Sequence, residues 1–427
     1  MALHGTRFGK YNLLKRIAVG GMAEIFLARQ EGLEGFEKMI CIKRIRPHLS
    51  NQPNFVTMFL NEAKLAARLN HPNIAQIYDL GRINDSYFIA MEHISGRDMS
   101  RIIPKAQTKG IGFPMVYALK VAANVCDGLN YAHTKTDAYG NPLHIVHRDV
   151  TPENCLVGFN GTVKLVDFGI AKANTQLEET QAGELKGKLS YMSPEQAMGE
   201  PLDHRSDIFS LGAILYEWIT SARIFTGENE MAILKEIVDG HIYRPSYFKD
   251  NVPEPVENIL MRALEKDREK RYQSAWEMQY DIDTYLASCE FTPSNIHLAN
   301  FLKQIFEDEI QDEQEQLVRL RNEQVYQEPS AYDDVLNEEV LDIDALSGEM
   351  VAASLEGAPL VEGAPELGES PFHRTPTPSG RFTQGTTELT VQFSQKEMNS
   401  IKKMAEHSGL EPDQVVRELV RQQGRWT

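Results

Sequence analysis

The order of apolar patterns along residues 8–286 is the feature that most constrains the fold. Five segments carry the patterning of strands: YNLLKRIAV, EIFLARQ, MICIKRI, IAQIYDLGRI and SYFIAMEHI. One segment among them, FVTMFLNEAKLAARL, has helical spacing instead. After Met115 helical patterns dominate, as in VYALKVAANVCDGLNYAH and DIFSLGAILYEWIT. The sequence therefore predicts an α+β protein with two lobes, a small strand-rich lobe that contains one helix and a larger helical lobe.

The charge and the cysteine pattern argue against several classes of protein. The chain has 44 Lys and Arg against 61 Asp and Glu, and a formal charge of −17 disfavours general binding to nucleic acid or anionic membranes. Its four cysteines show no CxxC spacing, which disfavours a zinc site or a disulfide framework. The N-terminus lacks the apolar region of a signal peptide, and no run approaches the ~20 apolar residues that span a bilayer. We therefore expect a cytoplasmic protein with no membrane partner.

The composition changes after the predicted main domain, residues 8–287. Residues 288–310 contain an amphipathic helix, SNIHLANFLKQIF, with Ser294 as its candidate N-cap. Residues 311–384 are acidic and then rich in Pro, Gly, Ser and Ala, which is typical of a largely disordered linker, although its early part has helical character. Ordered sequence resumes in residues 385–427.

The main domain contains the residue types that phosphoryl transfer from a nucleotide requires, because that reaction depends on positioning and charge neutralisation. The segment AVGGMAEI lies between two predicted strands, where backbone amides can approach phosphates. Lys43 on the next strand can reach phosphate oxygens, and Glu62 on the following helix is its natural counter-ion. Asp149 is placed to accept a proton from a substrate hydroxyl, and Asn154 and Asp167 to bind a metal ion. Each residue alone could be a surface pair or a turn residue, but the ordered set disfavours that explanation.

The motifs that carry these residues also define a resemblance. GGMAEIFLAR, HPNI, VHRDVTPENCLV, LVDFGIA, YMSPEQ and RSDIFSLGAILYE occur in the order of eukaryotic-type protein kinases, and the region is similar to the bacterial, Hanks-type serine/threonine branch. The resemblance implies a bilobal protein kinase fold, ATP and Mg²⁺ as cofactors, and protein serine or threonine hydroxyls as substrates, with autophosphorylation. The tyrosine-kinase loop AARN is absent, which favours serine and threonine.

The resemblance also implies individual roles. Lys43 would pair with the nucleotide phosphates and with Glu62, Asp149 would be the catalytic base, and Asn154 and Asp167 would hold Mg²⁺. The residues that would contact the nucleotide are Ile17, Ala18, Val19, Gly20, Gly21, Ile25, Cys41, Lys43, Met91, Glu92, Ile94, Asp98 and Leu156.

Further implied residues support the catalytic loop or control it. Asp207 would brace the loop, and Glu195 would form an ion pair with Arg271. The position that receives a phosphothreonine in related kinases is Glu184 here, so a carboxylate there could pair with Arg148 without modification. In the same segment, Lys172 could complete a basic pocket with Arg148, and Thr175 and Thr180 are candidate phosphorylation sites.

Two features depart from the family pattern. Ala18 and Ala23 replace two of the three expected loop glycines while Gly20 is kept, and we expect a stiffer loop and weaker nucleotide affinity. Thr151 stands where a lysine usually contacts the γ-phosphate, and Lys188 stands where a threonine is usual. We hypothesise that the two residues have exchanged positions, so that Lys188 supplies the positive charge; the alternative is that Lys188 points to solvent.

The last segment, TELTVQFSQKEMNSIKKMAEHSGLEPDQVVRELVRQ, has the pattern strand, helix, glycine turn, helix. It resembles the ribbon-helix-helix family, which folds as an intertwined dimer, and this resemblance implies a homodimerisation module. DNA binding is not expected, because Glu388 would repel phosphates and the segment has no basic excess. A simple helical hairpin is the plain alternative. Two rival functions remain open for the whole chain: a pseudokinase scaffold, and a kinase-regulated DNA-binding protein.

Overall fold

A computed structural model describes residues 6–32, 36–84, 86–168, 187–324, 338–340, 379–384 and 387–392. The chain divides into two compact units, Met1–Ala352 and Ala353–Thr427. The first contains both predicted lobes, and the second contains the C-terminal segment. Among the helices described, none has the length and apolar character needed to span a bilayer.

The N-terminal lobe is one antiparallel sheet with a single helix. Its strands are β1 (Thr6–Phe8), β2 (Tyr11–Val19), β3 (Ala23–Glu31), β4 (Glu37–Ile45), β5 (Ile77–Ile83) and β6 (Ser86–Glu92), and helix α1 (Pro53–Ala66) follows β4. The strand order β1-β2-β3-β4-β6-β5 is extended at the β5 edge by a strand from the C-terminal extension. Buried apolar residues form two clusters, one of which includes Phe59 and Ala63 of α1. The predicted strand-rich lobe with one helix is confirmed.

The C-terminal lobe begins with a small sheet and continues as helices. Strands β7 (Gly96–Asp98), β8 (Cys155–Gly158) and β9 (Val163–Leu165) form the sheet. The helices are α2 (Met99–Thr108), α3 (Met115–His133), α4 (Pro194–Met198), α5 (Arg205–Thr220), α6 (Glu230–Asp239), α7 (Glu254–Ala263) and α8 (Ala275–Ser288), and short 3-10 helices span Pro152–Asn154, Pro245–Tyr247 and Arg268–Lys270. Almost every residue of α5 is buried, which explains why its sequence is apolar on all sides. Gly212 permits this packing, because a Cβ there would lie 2.9 Å from the Ala263 Cβ of α7.

A C-terminal extension continues the first unit. Helix α9 (Asn295–Ile305) begins at the predicted cap Ser294, whose backbone N–H donates to His297 Nδ1 at 3.1 Å, and it buries Phe301 and Leu302 against the main core. Helix α10 (Glu307–Gln324) runs past residue 310, where we placed the start of the linker. Strand β10 (Glu338–Val340) also lies within the predicted linker and pairs antiparallel with Gly81–Ile83 of β5. Most of the remaining linker lies outside the described residues.

The second unit contains a two-stranded hairpin. Strands β11 (Ser379–Gln384) and β12 (Thr387–Gln392) pair antiparallel within one chain, from Ser379 opposite Gln392 to Gln384 opposite Thr387. The predicted strand therefore forms, although its partner comes from residues that we assigned to the linker. The two predicted helices lie outside the described residues, so nothing described supports the ribbon-helix-helix resemblance. Dimerisation through residues 385–427 stays a prediction.

Candidate active site

Lys43 lies at the centre of the site, between two carboxylates from distant parts of the chain. Its Nζ is 2.8 Å from Glu62 Oε1 on α1 and 2.8 Å from Asp167 Oδ1, which follows β9. Burial alone would favour the neutral amine, but the Asp167 and Glu62 carboxylates outweigh it and raise the pKa of Lys43. The ammonium is therefore charged at neutral pH and is held where strand β4 and helix α1 meet the second lobe.

The catalytic loop is fixed by a buried carboxylate, as the sequence predicts. Asp207 at the start of α5 accepts hydrogen bonds from the backbone N–H groups of His147 and Arg148, each at 2.8 Å. Its pKa is lowered although burial acts to raise it, because His133 Nε2 lies 2.8 Å from the same carboxylate. Arg148 has a left-handed φ of 66°. A non-glycine residue keeps such a backbone only where its surroundings fix it. The Asp207 hydrogen bonds and a bond from Gln196 Nε2 to the Arg148 carbonyl, at 3.0 Å, provide this restraint.

Asp149 and Asn154 are brought together by the turn between them. Asn154 Nδ2 donates to the Asp149 carbonyl at 2.8 Å and to its Oδ2 at 2.9 Å. Because the amide nitrogen donates to Asp149, the Asn154 side-chain oxygen is the atom that would bind a cation. This oxygen and the Asp167 carboxylate are the hard ligands that Mg²⁺ prefers, so the donor set fits the implied metal ion.

His147 links the two loops that carry these ligands. The Asp149 backbone N–H donates to His147 Nδ1 at 3.2 Å, and His147 Nε2 lies 3.0 Å from the Val166 carbonyl. Burial lowers the pKa of His147, so the ring is neutral, with Nε2 as the donor. No role was assigned to His147 from the sequence. It gave no signal for His133 or Gln196, which act on the loop from other elements.

The residues implied for the nucleotide lie on both sides of the connection between the lobes. Cys41 of β4 is opposite Met91 of β6, and Leu156 of β8 is opposite Asp98 of β7. Burial raises the pKa of Cys41 to about 12, with a smaller effect of Asp167, so its thiol is neutral. Met91 lines a cavity of about 30 Å³ beside Lys43 and Phe168. The structure also places Ile17 and Val19 at the exposed end of β2, Ile25 opposite Lys43, and Glu92 and Ile94 in the chain that joins the lobes.

Asp98 has a second role that the sequence did not indicate. Its carboxylate caps the N-terminus of α2, accepting from the Arg101 backbone N–H at 3.2 Å and lying 3.3 Å from the Arg101 guanidinium. The expected contact with a ribose would therefore use a carboxylate that the helix already orients.

The alanines of the glycine-rich segment lie in extended strands. Ala18 lies in β2 opposite Ile25, and Ala23 lies in β3 opposite Ile45. Neither has a positive φ, and neither has Gly20, whose N–H donates to the Ala23 carbonyl at 2.8 Å to close the hairpin. Because a Cβ is well accommodated in extended backbone, neither alanine strains the hairpin. The stiffer loop and the weaker nucleotide affinity stay predictions.

The structure shows the burial of Thr151 and Lys188 but does not test whether the two residues have exchanged positions. The Thr151 side chain is only 3% exposed, and its hydroxyl has no hydrogen-bond partner among the described residues. Lys188 is half-buried. The exchange stays a prediction. The candidate regulatory residues Lys172, Thr175, Thr180 and Glu184 lie outside the described residues.

The predicted ion pair between Glu195 and Arg271 is present and fully buried. Arg271 Nη1 and Nη2 lie 2.6 and 2.8 Å from the two Glu195 oxygens, and Ser206 Oγ donates to the same carboxylate at 2.6 Å. The pair joins the start of α4 to the segment before α8. It therefore anchors the YMSPEQ motif, which contains Glu195, to the helical lobe.

Comparison with known proteins supplies independent information. A family model described as "Protein kinase domain" matches residues 11–281. The chain is 43% identical over 302 residues to Tyrosine-protein kinase MasK of Myxococcus xanthus, which covers 71% of this chain and 47% of that protein. It is 35% identical over 276 residues to Serine/threonine-protein kinase PrkC of Bacillus subtilis, covering 65% of this chain and 40% of that protein. The chain therefore spans less than half the length of either relative.

Among solved structures, the crystal structure of the Mycobacterium tuberculosis PknI kinase domain is similar, with 23% identity and a TM-score of 0.49. The similarity covers 66% of this chain and 98% of the PknI chain.

Proposed function

The chain belongs to the protein kinase family, and we propose that it transfers the γ-phosphoryl group of Mg·ATP to serine or threonine hydroxyls of protein substrates. One observation carries the proposal: Lys43 lies within 2.8 Å of both Glu62 and Asp167. The two contacts join the lobes, because Glu62 belongs to the N-terminal lobe and Asp167 follows β9 of the other. They hold the Lys43 ammonium where it can bind phosphate oxygens, and they place Asp167, an implied Mg²⁺ ligand, beside it.

Each described residue then has a specific task in the reaction. Lys43 binds phosphate oxygens, and Asn154 and Asp167 would hold Mg²⁺, which neutralises charge on the phosphates when it is bound. Asp149 accepts the proton of the attacking hydroxyl, and the hydrogen bond from Asn154 fixes its orientation. The Asp207 network keeps the loop backbone in place, which reduces the reorganisation needed during transfer.

The supporting relatives differ in the acceptor that their names state. PrkC is named a serine/threonine kinase and MasK a tyrosine kinase. We therefore carry tyrosine as the second candidate acceptor, and the MasK similarity is the observation that favours it. Serine and threonine are preferred because the catalytic loop reads TPEN rather than AARN.

The proposed function predicts transfer of labelled phosphate to a generic basic protein. The full chain, incubated with γ-labelled ATP and Mg²⁺, should label this protein and itself, and EDTA should abolish the labelling. A Lys43→Met variant is the matched control, because it removes the phosphate-binding charge. Acid hydrolysis of the product should give phosphoserine and phosphothreonine; phosphotyrosine alone would select the second candidate. ATP binding without any transfer would indicate a pseudokinase scaffold instead.

The exchange of Thr151 and Lys188 is a separate proposal about the same reaction. If Lys188 supplies the missing cation, Lys188→Ala should lower kcat by about 10²-fold, in the range of a lost transition-state donor. The double variant Thr151→Lys, Lys188→Thr should recover most of the loss. Steady-state rates at saturating ATP measure both effects. An unchanged kcat in Lys188→Ala would contradict the proposal and leave Lys188 as a surface residue.

A further inference from the structure

Helix α10 presents a row of polar side chains to basic residues of both lobes. Glu309, Glu313 and Gln316 are spaced four and three residues apart, so they lie on one face of the helix. Glu309 Oε1 forms an ion pair with Lys105 of α2, and Glu313 Oε1 lies 2.7 Å from Arg97 Nη2. Farther along, Lys15 Nζ of β2 donates to Gln316 Oε1 at 3.0 Å.

These three contacts extend from the C-terminal lobe to the N-terminal lobe. Lys105 of α2 and Arg97 of β7 belong to the C-terminal lobe, and Lys15 belongs to β2 of the N-terminal lobe. Strand β10 then adds a backbone contact at the far edge of the N-terminal sheet. The C-terminal extension therefore contacts both lobes.

Arg97 is the most constrained of the three basic residues. Its side chain is 15% exposed, and its guanidinium lies 5.2 Å from the Phe159 ring and 5.5 Å from the Phe306 ring. Two nitrogens of this group face Glu313, at 2.7 and 3.4 Å. Because Arg97 directly precedes Asp98, the Glu313 ion pair fixes the backbone next to the implied ribose ligand.

Glu313 also lies near the residues expected to face adenine. His93 stands between Glu92 and Ile94, and its burial lowers its pKa. The Glu313 carboxylate opposes that shift, which places its charge within electrostatic range of this segment.

We propose that α10 is an intramolecular strap across the two lobes, and that Glu313 is a positioning residue for nucleotide binding that acts through Arg97. This proposal rests on the proposed kinase function and adds a means of control to the same site. When the strap is in place, the segment 92–98 has the geometry that binds ATP. When the strap is displaced, the affinity for ATP falls, while the chemical step, which depends on Asp149 and Lys43, does not.

The expected effects follow from charge and position. Glu313→Lys should raise the Kd of Mg·ATP about threefold to tenfold, which is the scale of losing and reversing one partly buried ion pair. The value of kcat at saturating ATP should stay within about twofold of wild type. Since salt screens exposed charge pairs, 1 M salt should reduce the difference between wild type and variant.

The experiment compares Glu313→Lys with Asp312→Lys in the full chain. Asp312 is exposed on the same helix and forms no ion pair with described residues, so this control makes the same charge change outside the row of Glu309, Glu313 and Gln316. Titration calorimetry with Mg·ATP gives Kd. Hydrogen exchange of residues 92–98, which we call the hinge, is measured without nucleotide and reports directly on the backbone of this segment. The charge exchange Arg97→Glu, Glu313→Arg should restore both readouts, and Glu313→Gln replaces the lysine variant if that variant unfolds.

Each outcome separates the strap from the kinase proposal. A larger Kd and faster exchange in Glu313→Lys alone, with recovery in the charge exchange, would support the strap. Equal behaviour of Glu313→Lys and Asp312→Lys in hydrogen exchange would overturn it. If wild type binds no Mg·ATP, the proposed function fails, and hydrogen exchange alone then decides whether α10 restrains the hinge.

Discussion

Replacing Asp149 with asparagine should lower the rate of phosphoryl transfer by about a thousandfold, within the range attributed to a general base. Asparagine has nearly the same shape and can still accept the hydrogen bond from Asn154 Nδ2, so the loop should keep its structure. It cannot accept the proton of the attacking hydroxyl. The Kd of Mg·ATP should therefore remain within about threefold of wild type, and the loss should appear in kcat.

Initial rates of label transfer and calorimetric ATP titrations measure the two quantities separately. Asp250→Asn is the matched control, since it makes the same chemical change at an exposed surface position. Retention of more than about a tenth of the wild-type rate by Asp149→Asn would show that another group accepts the proton, or that none needs to.

Replacing Arg271 with methionine should lower the free energy of unfolding by about 3–5 kcal/mol, because it leaves a buried carboxylate without its partner. The Arg271 and Glu195 side chains are 0% and 2% exposed. Arg271 also donates to the carbonyls of Glu265 and Lys266, at 2.5 and 3.0 Å, and these bonds would be lost as well. Chemical denaturation followed by circular dichroism measures the difference.

The pH dependence of this loss has a definite sign. In wild type, burial acts to raise the pKa of Glu195, but Arg271 and Ser206 outweigh it, so the folded pKa lies below the usual 4.5. The contribution of the pair is present above pH 4.5 and is lost as the pH falls through the folded pKa. In Arg271→Met only burial and the Ser206 bond remain, so the pKa should rise, and protonation should relieve the buried charge.

The difference in stability between wild type and Arg271→Met should therefore shrink as the pH falls below about 5. Lys270→Met is the control: Lys270 is 68% exposed in its pair with Asp267, so its replacement should cost less than about 0.5 kcal/mol. A difference that stays constant from pH 4 to pH 8 would contradict the assigned role of the Glu195 charge.

Motif order allowed much of the candidate site to be predicted, because each motif occupies a fixed element of the fold. Lys43, Glu62 and Asp167 are distant in sequence, yet they meet as expected. The bracing role of Asp207 and the buried ion pair of Glu195 with Arg271 were predicted in the same way. The backbone at Ala18 and Ala23 could not be predicted, because a motif gives residue identity but not backbone dihedral angles, and both alanines lie in extended strands.

Contacts outside the motifs could not be predicted from sequence. The acidic composition of residues 307–324 is equally typical of a solvated linker, and only the packing of α9 brings α10 against Arg97 and Lys105. Likewise, His133 at the end of α3 carries no local pattern that identifies Asp207 as its partner. Such pairs depend on where elements pack, which the pattern of one helix does not specify.

The strand β10 has a consequence for how the domain can be divided. It covers the outer edge of β5 at Gly81–Ile83, where the N–H and C=O groups would otherwise be an open template for another chain. The family match ends at residue 281, before α9, α10 and β10. A fragment cut at that limit would lack α9 and β10. The apolar surface that α9 covers and the sheet edge that β10 covers would then be exposed, and both favour aggregation. The compact unit that carries the catalytic motifs is therefore longer than those motifs indicate, since it spans Met1–Ala352 and includes β10.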